Sequence, residues 1–327
     1  MNGLYPLKFE PIFHEKIWGG NRMKSVLNKD CGNLPNCGES WEISAVKEKI
    51  SMVANGFLEG NNLQELIEIY MGELVGDKVY EKFGIEFPLL IKFIDADDDL
   101  SIQVHPNDDL SKKRHNAYGK TEMWYVVETD KGARINSGFN QEITREKYLE
   151  YVEQGKLTDV LHYDETFPGD VFFIPAGRVH AIGKGVLLAE IQQTSDITYR
   201  IYDYNRKDEA GNTRELHTNL ALDAIDFSYK EEYRTRYEKE KNKAVQLANC
   251  DYFTTNLLEF NKEILLNYNK LDSFIIYMNL EGVFEIEYEG GKEKIEKGET
   301  VLIPANLEQF RLNPITKEVK TLEVFMK

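Results

Sequence analysis

Residues 168–180 read PGDVFFIPAGRVH, and residues 297–309 read KGETVLIPANLEQ. Both place a glycine and an acid before a short apolar run. Both then continue with Ile-Pro-Ala and a small turn residue. Gly169 and Gly298 permit a tight turn into the run. Pro175 and Pro304 fix φ and lack an amide donor, so each run is expected to end there as a strand. A turn follows, and the next strand begins near residue 180 or 309. The unit is therefore a β-hairpin, and the chain carries it twice. The first copy opens its second strand with His180, whereas the second has Gln309 there. Chemistry is expected in the first copy and a structural partner in the second.

Outward from this repeat the chain reads mainly as β. PLLIKFIDA (88–96), SIQVHP (101–106), EMWYVVET (122–129), FIIYMNL (274–280) and VFEIEYEG (283–290) are apolar runs between Gly, Pro, Asn and Asp punctuation. Helical spacing is scarcer. Leu63, Leu66, Ile67 and Tyr70 follow Asn61 and Asn62 as candidate caps, predicting helix over about 62–84. A second helical segment is expected over about 144–160, with Thr144 before it and Gly155 as its stop. Residues 226–243 are charged and aromatic, and are read as a surface connector, helical in part. The division expected is a catalytic domain over 1–235 and a C-terminal domain over 236–327.

The chain has 327 residues and a formal net charge of −16, which makes nucleic acid and anionic membrane surfaces poor partners. An anionic substrate then requires a locally basic site. No stretch approaches the roughly 18 apolar residues that span a bilayer. The N-terminal residues lack the pattern of a secretory signal, so a cytoplasmic location is expected. Cys31, Cys37 and Cys250 lack metal-ligand spacing and read as reduced thiols.

The chemistry-bearing residues gather at strand ends. Gln103 and His105 are two apart, so in an extended chain they share a face. Glu122 begins one strand and His180 another. A lone buried histidine is usually a satisfied core residue, and His105 alone reads that way first. Together, two imidazoles and a carboxylate suit Zn²⁺ or another first-row divalent ion, with the Gln103 amide oxygen as a neutral fourth ligand. Lys92, inside an apolar strand, needs a ligand or a carboxylate such as Asp95. Lys120 lies two before Glu122, so both should face inward. Arg200 alternates with aromatics in DITYRIYDYNR (196–206), which suits a sugar-phosphate pocket better than base stacking on so acidic a chain.

GDVFFIPAGRVHA resembles a signature of the cupin superfamily. More narrowly, PIFHEKIWGG (11–20), GESWEIS (38–44), LSIQVHPND (100–108), GKTEMWYV (119–126), IPAGRVHAI (174–182) and EIQQTSDITYRIYDY (190–204), in that order, resemble type I mannose-6-phosphate isomerases of the short bacterial kind. The resemblance implies a mainly β fold of two cupin (jelly-roll) β-barrels with a few helices, the second barrel degenerate. It implies one Zn²⁺ per chain on Gln103, His105, Glu122 and His180, and Arg200 as the active-site arginine. Ser101, Lys92, Lys120, Glu190 and Asp196 match polar positions of the family's pocket, and Lys120, Glu190 and Asp196 are the candidate proton carriers. Ile182 stands where family members often carry an aromatic residue, and the large helical insertion of longer members is mostly absent. The implied reaction interconverts mannose 6-phosphate and fructose 6-phosphate. An Fe(II) cupin dioxygenase and a non-enzymatic sugar-binding cupin are the rival readings.

Overall fold

The computed structural model describes residues 3–207 and 211–327. The strands are β1 (Leu7–Lys8), β2 (Ile12–Gly20), β3 (Cys37–Ile43), β4 (Ala45–Val46), β5 (Lys49–Ile50), β6 (Leu89–Ala96), β7 (Ile102–Val104), β8 (Glu122–Thr129), β9 (Arg134–Phe139), β10 (Leu161–Glu165), β11 (Val171–Ile174), β12 (His180–Ile182), β13 (Val186–Gln193) and β14 (Tyr199–Tyr202). The C-terminal part adds β15 (Ala244–Asn249), β16 (Thr254–Phe260), β17 (Ile264–Asn267), β18 (Ile275–Glu281), β19 (Phe284–Tyr288), β20 (Gly291–Ile295), β21 (Thr300–Ile303), β22 (Gln309–Pro314) and β23 (Val319–Phe325).

Two antiparallel sheets build the first barrel, in the orders β11-β8-β13-β6-β2-β3 and β10-β9-β12-β7-β14. Trp124, Val126, Ile174 and Leu188 of the one pack with Ile135 and Ile182 of the other. Two more sheets, β1-β21-β18-β23-β16-β15 and β17-β22-β19-β20, build the second. The fold is the expected mainly β one, with alternating strand residues filling each sandwich.

The repeated Ile-Pro-Ala unit behaves as its chemistry requires. β11 stops at Ile174 before Pro175, and β21 stops at Ile303 before Pro304. Their successors begin at His180 and Gln309. At Gly298, φ is +85°, and a Cβ would sit 2.1 Å from the Leu27 carbonyl oxygen, so glycine is needed there on two counts.

The first expected helical segment is three short helices among α1 (Arg22–Ser25), α2 (Leu63–Tyr70), α3 (Gly72–Val75) and α4 (Asp77–Phe83). Asn62 and Glu65 form a capping box on α2. Further helices are α5 (Asp108–His115), which the sequence reading missed, α6 (Arg145–Glu153), capped by Thr144, and α7 (Thr218–Ala224). The connector over 226–243 contains no helix. It runs extended across the first barrel because Tyr233 is buried and its hydroxyl donates to the Phe139 carbonyl at 3.0 Å.

The two halves share their edges. β1, at the start of the chain, pairs with β21 of the second barrel, Leu7 opposite Leu302. The α3 carbonyls of Leu74 and Val75 accept from Ala305 and Phe274. At the level of sheet pairing, residues 7–8 therefore belong with the C-terminal half rather than with the unit expected over 1–235.

Candidate metal centre

Local strand geometry brings the proposed ligands together. β7 lies between β12 and β14, and Gln103 is directly opposite His180 on one side and Arg200 on the other. Residues directly opposite in an antiparallel pair point to the same face. Gln103, His180 and Arg200 thus form one row. On the facing sheet, Glu122 is opposite Gln192, and Glu190 lies between Lys92 and Trp124.

His105, Glu122 and His180 are buried, with their candidate ligand atoms all within 4.8 Å of one another. His180 Nε2 lies 3.3 Å from Glu122 Oε1, and His105 Nε2 lies 3.6 Å from Glu122 Oε2. Each imidazole is oriented through its other nitrogen. His105 Nδ1 donates to the Ile197 carbonyl at 2.9 Å, and His180 Nδ1 to the Arg178 carbonyl at 2.8 Å. This fixes the tautomer that turns Nε2 inward with a lone pair, as metal-binding histidines require. His180 Nε2 and Glu122 Oε1 are buried without a hydrogen-bond partner among the described residues. Such orphaned acceptors are costly in a protein interior, and a divalent cation satisfies them. The residues present therefore fit the metal.

Electrostatics agree. Burial and the nearby Lys120 ammonium push His180 down to about 3, and the same two causes push His105 well below its ordinary value. Both rings are neutral at neutral pH. Burial lifts Glu122 to about 7 against the pull of Lys120. The Lys120 ammonium donates to Glu122 Oε2 and lies 2.9 Å from His105 Nε2, so it reaches the cluster from within.

Beside the cluster, Lys92 Nζ stands 3.1 Å from Glu190 Oε1, while Trp124 Nε1 donates to Glu190 Oε2 at 2.8 Å. The partner of Lys92 is thus Glu190; Asp95 instead accepts from the Arg22 backbone at 2.7 Å. Lys92 also lies over the Trp41 ring, 5.2 Å from its centroid. Trp41 Nε1 donates in turn to Glu39 Oε2 at 2.7 Å. Trp124 escaped the sequence reading, although its spacing two residues after Glu122 places it on the same face.

Arg200 is half-buried, its Nη1 donating to the Glu215 carbonyl at 3.0 Å while its Nε is buried without a partner among the described residues. Arg206 and Arg214 both donate to Asp203 nearby, at 2.7 Å from Arg206 Nη2 and 2.7 Å from Arg214 Nε. Their chain spacing after Arg200 gave no signal of this convergence. Ser101 is buried two residues before Gln103. Asp196 does not join the cluster. After Gln193 the chain leaves the sheet, and Asp196 sits exposed on a loop that lines a different cavity.

Residues 6–133 match the family model of the phosphomannose isomerase type I catalytic domain, and residues 243–318 that of the mannose-6-phosphate isomerase cupin domain. Mannose-6-phosphate isomerase ManA of Bacillus subtilis is 37% identical over 316 residues, which is 94% of this chain and 95% of that protein. The chain belongs to the type I phosphomannose isomerase family. A mannose-6-phosphate isomerase of Streptococcus mutans is 40% identical over 220 residues, 67% of each protein. The crystal structure of the mannose 6-phosphate isomerase from Bacillus subtilis matches with a TM-score of 0.87 at 32% identity, covering 98% of this chain and 99% of that one. The type I phosphomannose isomerase fold therefore runs the length of the chain, as an enzyme of this family requires. Among the described residues no helix is long and apolar enough to cross a membrane.

Proposed function

We propose that this chain interconverts mannose 6-phosphate and fructose 6-phosphate, with one Zn²⁺ held by Gln103, His105, Glu122 and His180. The observation that carries the reading is the buried trio of His105, Glu122 and His180, with inward lone pairs, in register with Arg200 through Gln103. When bound, the metal supplies Lewis acidity that stabilises negative charge on a substrate oxygen.

The chain's own residues do the rest. Aldose–ketose interconversion moves a proton between neighbouring carbons while charge gathers on oxygen. Arg200, always protonated and able to bridge two oxygens, answers that charge. With Arg206 and Arg214 it also gives an otherwise acidic protein the basic flank that a phosphate needs. Lys120 is the favoured proton carrier, because its ammonium already reaches the face of the cluster. Glu190 suits that task less. Burial pushes its pKa up, but Lys92, Lys120 and the Trp124 N–H outweigh it and hold Glu190 below the ordinary carboxylate range. It is an ionised anchor for Lys92 and a weak base. Ser101 and Lys92 are substrate-side groups in this reading, and Asp196 is at most peripheral.

The test is formation of fructose 6-phosphate from mannose 6-phosphate with and without chelator, beside metal analysis of the purified protein. Chelation is expected to abolish turnover and Zn²⁺ to restore it. Turnover that survives complete metal removal overturns the mechanism. Stoichiometric iron with oxygen uptake would point to the dioxygenase rival instead.

A further inference from the structure

Behind the metal cluster lies a cavity of about 660 Å³, within the range of small-ligand sites. Strand alternation explains why it is separate. Glu122 and Gln192 point into the barrel, so their neighbours Thr121 and Gln193 point out. Gln193 lines the outer cavity, accepting from the Thr121 amide at 2.9 Å and donating to Asp108 Oδ1 at 3.0 Å. The remaining walls come from the β4–β5 hairpin, α4, the end of α5 and, from the C-terminal half, Tyr252.

The charged groups around this cavity are unequally engaged. Tyr118 donates to Glu86 at 2.9 Å and Tyr252 to Asp108 Oδ2 at 2.7 Å, so two of the acids are turned into hydrogen bonds with the walls. Lys47, Lys82 and Lys112 ring the cavity, exposed, and among the described residues none has a carboxylate partner. Lys82 lies over the Phe83 ring, 5.1 Å from its centroid, so the three ammonium groups lack only a carboxylate among the described residues, a local exception on a chain of net charge −16. Lysines of this kind serve phosphate as point charges. Asp196, exposed, offers an acceptor for hydroxyl groups, and Tyr118, packed against Phe83, offers a ring.

The cavity also touches the machinery of the metal centre. Ser195, in its wall, presents its carbonyl to Gln192 Nε2 at 2.6 Å. Two residues on, the Ile197 carbonyl holds His105 Nδ1. A ligand that shifts residues 193–197 therefore moves the group that aims His105.

We propose that this outer cavity is a second site, which takes a phosphorylated sugar and reports its presence to the metal centre through residues 193–197. Only its effect on turnover rests on the isomerase reading; the binding itself does not.

The experiment is calorimetric titration of the zinc-loaded full chain with glucose 6-phosphate. The parent is compared with Arg200→Ala and with the triple variant Lys47→Ser/Lys82→Ser/Lys112→Ser. Arg200→Ala is expected to retain binding at the outer cavity. The triple variant is expected to weaken that binding at least tenfold while keeping the parent's basal kcat. At saturating mannose 6-phosphate, glucose 6-phosphate should change the parent's kcat at least twofold and leave the triple variant's unchanged. The proposal falls if Arg200→Ala abolishes all binding, or if the triple variant retains it in full. It falls too if inorganic phosphate binds as tightly as the sugar phosphate. Absence of turnover in the parent would sink the isomerase reading, while the titrations would still decide whether the cavity is a site.

Discussion

Lys92 and Glu190 face each other across β6 and β13, with Nζ 3.1 Å from Oε1 and both side chains more than nine-tenths buried. Removing one member of such a pair leaves an uncompensated charge in the interior, which costs about 3–5 kcal/mol. Lys92→Met is expected to lose stability on that scale in urea unfolding. The double variant Lys92→Met/Glu190→Leu should recover more than half of the loss. Neither should recover isomerase activity, since both lack the polar pair beside the cluster. Equal stability of the single and double variants would refute the pairing argument.

Glu39 makes the same region sensitive to acid. Burial pushes its pKa up, but Lys92, Lys16 and the Trp41 N–H override that and hold it at about 2. An unfolded glutamate titrates near 4.3. The folded state refuses the proton that the unfolded chain accepts, so protons favour unfolding. The carboxylate's contribution, roughly 3 kcal/mol by linkage, is present in full above about pH 4.5 and is lost as pH falls toward 2. Stability curves of the parent and Glu39→Gln should therefore converge near pH 2 and separate above about pH 4.5. Curves that stay parallel throughout would contradict this.

The orphaned atoms of His180 and Glu122 predict that metal stabilises the fold as well as serving turnover. Adding Zn²⁺ to chelator-treated protein at a hundredfold excess over Kd should stabilise it by about 2.7 kcal/mol, read as a rise in Tm. His180→Ala should lose most of that rise, because it deletes an inward lone pair that the Arg178 carbonyl orients. A Tm that does not respond to zinc in the parent would count against the assignment.

Arg200 separates chemistry from stability. It is half-buried, and among the described residues its side chain's one hydrogen bond runs to a backbone carbonyl. Arg200→Lys keeps the charge but loses the planar fork that bridges two oxygens. By analogy with deleted oxyanion donors, kcat is expected to fall about 10²–10³-fold, with urea midpoints close to the parent's. A comparable loss of stability would make Arg200 a structural residue.

What the sequence made legible was whatever a period of two residues controls. Alternation placed Gln103 beside His105 and Lys120 beside Glu122, and the two Ile-Pro-Ala turns located both barrels. The contacts around Glu190 were only half visible. That Lys92 needed a partner followed from burial, but choosing Glu190 over Asp95 required the register between β6 and β13, which lies far apart in sequence. Asp196 shows where alternation gives no guide. The family pattern matched the residue, yet a loop has no pleat to fix its direction, and the chain carries it to the outer cavity. The connector over 226–243 reads as a surface segment, helical in part. Tyr233 overrides that tendency by anchoring it, extended, on the Phe139 backbone.

Pairing of β1 with β21 leads to a final expectation about domain boundaries. Cutting after residue 235 leaves Leu7 and Lys8 without their sheet and strips the α3 carbonyls of Leu74 and Val75 of their donors. It also exposes Phe87, which packs on Phe274 with ring centroids 4.6 Å apart. Leu74, Val75 and Phe87 share one apolar cluster with Ile276, Leu302 and Leu322 of the second barrel. An apolar surface of that extent is an aggregation hazard. The fragment 1–235 should therefore be insoluble or unfolded by circular dichroism, even though it holds every proposed metal ligand. Co-expression with residues 236–327 should restore a soluble complex. A soluble, zinc-binding fragment 1–235 would show that the first barrel folds alone and that β1 merely decorates the second.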